Sequence, residues 1–264
     1  MSFFVANNIT AGYGKQNILE HISFQLEEGI LMGVIGANGS GKTTLLKALC
    51  GILPHGGTCN LDHTTLENLS ARQIAKRISY IPQRSGVSID ISALDVVLMG
   101  FNPQLGLLEH PTNKMKVAAL AALEQVGLGG KEETNYLHLS EGQKQLCILA
   151  RTLVSSSKLL LLDEPESALD FRFRYQMLSL LHSWVASGKR SAIVTLHDPS
   201  LALNFCDKLL LLGDDGILGI LNPQSESLDR MEQMLRQVYG NISLQRCQNR
   251  KGESQIVILR EGEA

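Results

Sequence analysis

The stretch that most constrains this chain is Gly36-Ala37-Asn38-Gly39-Ser40-Gly41-Lys42-Thr43, which fits the spacing GxxxxGK[ST] and is followed by Thr44. Glycines at this spacing let the backbone curl until successive N–H groups face inward and form an anion-binding nest. The preceding residues, Ile30-Leu31-Met32-Gly33-Val34-Ile35, form a short apolar run bounded by glycine and read as a buried strand. The following residues predict a helix over Lys42–Cys50 that stops at Gly51. A helix opening at Lys42 turns its positive dipole end toward the nest. Lys42 adds a point charge for the terminal phosphates of a nucleotide, and the Thr43 hydroxyl is a ligand for Mg2+. Gly36, Asn38, Gly39, Ser40, Gly41, Lys42, Thr43 and Thr44 are therefore the candidate contacts to a nucleotide. Ser187-Gly188-Lys189 marks the contrast, because it has the Gly-Lys pair without the upstream glycine or the following Ser or Thr.

A nucleotide held this way needs a metal anchor and a base for water. Leu159-Leu160-Leu161-Leu162 is a continuous apolar strand running straight into Asp163-Glu164. In a parallel sheet its carboxyl end lies at the edge where the phosphate loop sits. Asp163 is the candidate for the Mg2+ shell and Glu164 for polarising the attacking water.

Along the rest of the chain, the stretch to about Glu28 reads as strands with a turn at Gly12-Tyr13-Gly14. Further strands are expected at Gly57–Leu61, Ser79–Ile81, Ser191–Leu196 and Asp207–Leu212. Helices are expected at Ser70–Arg77, Ala93–Met99, Lys114–Val126, Gln143–Val154 and Phe171–Val185. From about Gln224 the tail reads as a helix through Val238 followed by a strand pair, Ser243–Gln245 and Gln255–Leu259. Short apolar strands alternating with helices imply an α/β fold with a parallel sheet. The stretch from about Arg84 to Ser155 reads as a mostly helical insertion in that core.

With Leu139-Ser140-Glu141-Gly142-Gln143 added, the pattern resembles the ABC ATPase family over nearly the whole chain. Ser140 and Gln143 have the S-x-x-Q spacing of a capping box, so a helix starts here with its N–H groups free to face a phosphate. The resemblance implies a P-loop NTPase, RecA-like core with a parallel sheet, an N-terminal antiparallel β part and a helical signature subdomain. It divides a single 1–264 domain into a catalytic core (1–84 and 156–223), a helical part (85–155) and a tail (224–264).

In that family the signature helix meets the γ-phosphate of ATP held by a second subunit. The resemblance thus implies a homodimer, with Ser140, Gly142 and Gln143 as contacts. Tyr13 resembles the aromatic that stacks on adenine. Gln83, after Tyr80-Ile81-Pro82, resembles the glutamine that touches metal and water and couples to a permease. Ser167-Ala168-Leu169-Asp170 resembles the D-loop, which adds Asp170. His197, within Thr195-Leu196-His197-Asp198, resembles the switch histidine at the γ-phosphate. Two residues depart from the pattern. Glu141 stands where glycine is usual and brings a carboxylate toward the expected phosphate. Glu166 stands where a small or hydroxyl residue is usual and adds negative charge beside Glu164.

One motif set and no apolar run of the ~18 residues that span a bilayer look like the separate ATPase subunits of bacterial importers. Asp95-Val96-Val97-Leu98-Met99-Gly100, Pro103-Gln104-Leu105-Gly106-Leu107, Leu196-His197-Asp198-Pro199 and Val238-Tyr239-Gly240 are similar to the ATPases of iron–siderophore, haem and cobalamin uptake. The expected partners are polytopic permease subunits and, indirectly, a substrate-binding protein. The expected place is the cytoplasmic face of the cell membrane, held there peripherally. The start MSFFVANNIT has neither a basic segment nor a long apolar one, so no signal peptide is expected.

Composition sets rival readings aside. A net charge of -2 gives no electrostatic case for nucleic acid, against the alternative of a non-transport ABC ATPase acting on DNA or ribosomes. Cys50, Cys59, Cys147, Cys206 and Cys247 form no CxxC pair, which suggests reduced thiols. Cys50, His55, Cys59 and His63 lie close in sequence but match no common zinc spacing, so a metal-binding module is not expected.

Overall fold

In the computed structural model, residues 2–83, 87–106, 108–167, 169–213 and 216–262 are described. Strands β1 (Ser2–Tyr13) and β2 (Gln16–Glu27) form an antiparallel pair. The tight turn falls at Gly14-Lys15, so Tyr13 ends a strand rather than sitting mid-turn as the glycines suggested. Strand β3 (Leu31–Gly36) leads through the glycine loop into helix α1 (Lys42–Leu49). Strands β4 (His55–Leu61) and β5 (Thr64–Thr65) add to the first sheet, giving the order β2-β1-β4-β5. Helix α2 (Ala71–Ala75) and strand β6 (Ile78–Ile81) return the chain to the centre.

Three helices follow: α3 (Ala93–Leu98), α4 (Asn113–Gln125) and α5 (Glu141–Leu153). The core then resumes with β7 (Leu159–Asp163), α6 (Phe171–Ala186), β8 (Ser191–Thr195), α7 (Pro199–Phe205) and β9 (Lys208–Gly213). Strand β10 (Gly216–Leu221), helix α8 (Leu228–Tyr239) and the hairpin β11 (Ile242–Gln248) with β12 (Ser254–Arg260) complete the described chain. Neither α7 nor β10 was expected from the sequence.

The central sheet has the order β10-β9-β3-β8-β7-β6, parallel except for β10. Its strands are apolar on both faces because both faces are covered. Their side chains alternate between two cores, as period-two geometry requires. Leu160 and Leu162, with Leu31, Ile35, Ala192 and Val194, join the core built with α3–α8. Leu159 and Leu161, with Met32, Val34 and Ile193, join the core built with α1 and the β1–β2 sheet. All four leucines of β7 are fully buried, and truncating one to alanine would cost about 2–5 kcal/mol.

The register decides where the site lies. Val34 and Asp163 both pair with Thr195, and Ile81 pairs with Leu162. The carboxyl ends of β3, β8, β7 and β6 therefore share one edge. They deliver the glycine loop, the segment to His197, Asp163-Glu164 and Gln83 to the same place. No described helix is long and apolar enough to cross a membrane.

Candidate active site

The loop after β3 is shaped by its glycines at two points. Gly41 has φ +94°, a left-handed conformation, and a Cβ there would lie 2.7 Å from the Leu19 side chain. Gly36 passes so close to β9 that a Cβ would meet the Leu212 carbonyl at 2.3 Å. The loop folds over the Lys42 ammonium, which donates to the carbonyls of Gly36 and Ala37, both at 2.9 Å. Burial holds the Lys42 pKa below the usual lysine range, against the opposing pull of Glu164 and Asp163. Asn38, Gly39, Gly41, Lys42, Thr43 and Thr44 line a cavity of about 230 Å³ together with Ile18 and Glu164. Ser40 is buried, and its hydroxyl has no hydrogen-bond partner among the described residues. A concave lining of loop backbone, one ammonium and threonine hydroxyls fits a polyphosphate.

Asp163 is held by three hydroxyls. Its Oδ1 accepts from Thr43 and Thr195, each at 3.0 Å, and its Oδ2 accepts from Tyr80 at 3.2 Å. Burial, followed by the adjacent Asp163, pushes the Tyr80 phenol well above its usual range and keeps it a donor. An all-oxygen set of Thr43 and Asp163 suits a hard divalent cation such as Mg2+. The roles of Thr195 and Tyr80 as supports for Asp163 were not legible in the sequence. The Thr195 contact follows from strand register, and the Tyr80 contact from the pairing of β6 with β7.

Glu164 follows with φ 46°, a left-handed conformation unusual for a residue with a side chain. It is fixed there by its N–H, which donates to Thr195 Oγ1 at 2.8 Å. Such a backbone costs about 1–3 kcal/mol and is found where surrounding structure over-determines it. Its Oε2 accepts from Gln83 Nε2 at 2.5 Å and lies 2.7 Å from His197 Nε2. Gln83, Glu164 and His197 thus converge on one oxygen beside the phosphate cavity.

Glu166, beside Glu164 in sequence, is 2% exposed, and burial raises its pKa. Its Oε1 accepts the His197 main-chain N–H at 2.9 Å. It therefore holds the loop that carries the histidine.

The remaining candidates lie outside this cavity. Tyr13, half exposed, lines a neighbouring cavity of about 550 Å³ with Asn17, Leu53, Pro54 and His55. Asn17 and Ile18, adjacent in β2, line one cavity each. Ser140 caps α5 in a capping box with Gln143, their reciprocal bonds measuring 3.3 and 3.1 Å. Glu141 points to solvent and pairs with Lys144 at 2.7 Å, which offsets its charge. Asp170 caps α6 through the Phe173 N–H at 3.0 Å. Ser140, Gly142, Gln143 and Asp170 are not brought into the phosphate cavity of their own chain. Ala168 and Leu107, each within a quoted motif, lie outside the described residues, as does Arg84 at the start of the expected helical insertion.

A phosphate nest after β3, an acidic pair after β7 and a histidine after β8, all on one edge of a parallel sheet, define an ATP-binding cassette. The sequence model for the ABC transporter family matches residues 19–167, and the chain belongs to that family. It binds ATP and is an ATPase.

Among its relatives is the hemin import ATP-binding protein of Bordetella pertussis, 36% identical over 244 residues, covering 89% of this chain and 91% of that protein. Another is the manganese transport system ATP-binding protein of Bacillus subtilis, 36% identical over 208 residues, covering 78% and 81%. A solved structure described as an inward-facing metal-chelate type ABC transporter superposes with a TM-score of 0.82 at 27% identity, over 99% of each chain. A dimeric ATP-binding cassette bound to ADP and Pi has the same fold, with a TM-score of 0.75 at 22% identity, over 84% of this chain and 100% of that one.

Proposed function

We propose that this chain is the ATPase subunit of an importer that takes up a metal chelate of the iron–siderophore, haem or cobalamin kind through a separate membrane permease. The observation that carries the catalytic part is the meeting of Gln83, Glu164 and His197 on one carboxylate oxygen at the mouth of the phosphate cavity. The cargo class is supported by relatives named for hemin import and by similarity to a metal-chelate type transporter. The manganese relative favours a second reading, in which the cargo is a free divalent cation.

On this proposal the loop N–H groups and Lys42 bind the phosphates, and Tyr13 stacks on the adenine. Thr43, Asp163 and Gln83 would hold Mg2+, which would supply charge neutralisation at the phosphates when bound. Glu164 accepts a proton from water as it attacks the γ-phosphate, and His197 holds Glu164 and that phosphate in line. Ser140, Gly142, Gln143 and Asp170 sit outside their own cavity, which suits contacts made to the ATP of a second copy. Two nucleotides would then be enclosed between two chains. Residues 1–84 with 156–223 are read as the catalytic core, 85–155 as the helical part and 224–264 as a tail, with Gln83 the point of coupling to the permease. The assembly would sit at the cytoplasmic face of the membrane, with a substrate-binding protein on the far side.

Tagging the chain in its native host and purifying it from membranes in mild detergent tests this. A polytopic protein at equal stoichiometry is the expected result, and uptake assays with that pair distinguish a chelate from a free cation. Recovery with ribosomes, DNA or soluble partners alone would overturn the importer reading and leave the ATPase intact.

A further inference from the structure

Away from the phosphate cavity, three side chains that could ligate a metal converge at one end of the first sheet. The donor atoms of His55, Cys59 and Glu67 all lie within 4.8 Å of one another. His55 opens β4, Cys59 lies four residues on along the same strand, and Glu67 comes from the 3-10 turn at Leu66–Asn68. The nearby Cys50 and His63, which shared the sequence cluster, are not part of the group, whereas Glu67 had no sequence signal.

Several observations show an arranged set. His55 Nδ1 lies 3.0 Å from the Gly56 carbonyl, which can only accept, so Nδ1 is the donor there and Nε2 is the ring nitrogen turned toward the other two side chains. A carbonyl bonded to the far ring nitrogen is the usual support of a metal-ligating histidine. Nε2 faces Glu67 Oε1 at 3.6 Å, beyond hydrogen-bond range. Glu67 is itself oriented, because its Oε1 accepts the Cys59 main-chain N–H at 2.7 Å. The Cys59 side chain is fully buried and that of His55 nearly so, with Glu67 forming the open side.

We infer that His55, Cys59 and Glu67 form a binding site for a thiophilic divalent cation of the zinc class, with water completing the coordination. One sulfur, one imidazole nitrogen and one carboxylate oxygen are the donor types zinc takes, and a three-residue set leaves a fourth position open. Tetrahedral bonding needs donors about 3.3–3.7 Å apart, and the His55 Nε2 to Glu67 Oε1 separation of 3.6 Å falls in that range. On binding, the Cys59 thiol gives its proton to solvent and the thiolate becomes the ligand. The site is distinct from the oxygen-only Thr43 and Asp163 pair. His55 pairs with Ala11 in β1 and lines the same cavity as Tyr13. Ligation would therefore pin one wall of the cavity proposed for adenine.

The test uses the full chain, stripped of metal, without nucleotide and with Mg2+ in excess to fill oxygen-only sites. Zinc is titrated in competition with a chromophoric chelator, and cobalt(II) is added in parallel as a spectroscopic probe. One equivalent of zinc and a thiolate-to-cobalt charge-transfer band are expected. Cys59→Ser should abolish the band. His55→Gln and Glu67→Gln should each weaken zinc by at least about tenfold, which loss of even an outer partner of a metal ligand can cost. Cys247→Ser, which removes an exposed thiol on β11, should change neither. Absence of stoichiometric zinc, or zinc binding unchanged in Glu67→Gln, overturns the proposal. The glutamine variant keeps an acceptor for the Cys59 N–H, so it decides the matter even where Cys59→Ser fails to fold.

Discussion

At the scale of single residues, Glu164 is the centre of the proposed chemistry. It has an unusual backbone, a hydroxyl fixing its N–H, and two side chains meeting at one of its oxygens. Glu164→Gln keeps the shape and removes the proposed base. ATP binding should persist, while turnover falls by about 10²–10⁴-fold, the usual contribution of a positioned base. A variant with wild-type turnover in a phosphate-release assay would show that the base lies elsewhere. Glu166 has the opposite character, since it is a carboxyl that burial drives toward the neutral form. Its pKa is raised on folding, so between the ordinary glutamate range and that raised value the folded state binds more protons than the unfolded. Stability must therefore fall as pH rises through that window. Glu166→Gln retains an acceptor for the His197 N–H and lacks the titration. It should melt above wild type at neutral pH, with the difference shrinking as pH falls toward the ordinary glutamate range. Thermal melts across pH check this, and a constant difference would refute it.

At the scale of elements, α5 shows how the same residues serve structure before function. Its capping box satisfies two N–H groups at the helix start. Ser140→Ala should cost about 0.5–2 kcal/mol in denaturant unfolding, with threonine restoring most of it. The box was legible in the sequence because it is a local device, as were the strands β3 and β7, whose apolar runs admit little else. Local pattern fails for β10. Its Gly-Ile-Leu-Gly-Ile-Leu repeats every third residue, which matches neither the strand nor the helix period, and only pairing with β9 decides it. Helix α7 did carry signals, an Asp198 cap and Pro199 at its first turn, but its seven residues are too few to show a period. The site's phosphate loop and acidic pair were readable for the same local reason. What was not readable spans the chain: Gln83 to Glu164, Thr195 to Asp163, and Cys59 to Glu67 are set by strand register or by the path of a turn.

At the scale of the whole molecule, the placement of Ser140 and Asp170 outside their own cavity requires a second copy if they are to touch nucleotide. Glu164→Gln should therefore run as a monomer without nucleotide and as a dimer when saturated with ATP in size-exclusion chromatography. A monomer under both conditions would remove the composite site from the proposal.

The last hairpin packs against α7. The Asn204 side chain, in α7, both donates to the Ile256 carbonyl and accepts its N–H, each at 2.8 Å, in the manner of a neighbouring strand. Asn204 is six residues beyond Asp198, the cap that directly follows His197. The hairpin is thus clasped to the far end of a short rod whose near end adjoins His197. That rod is about 10 Å long, so the two strands of the hairpin and the segment carrying His197 are joined through a single side chain and one short helix.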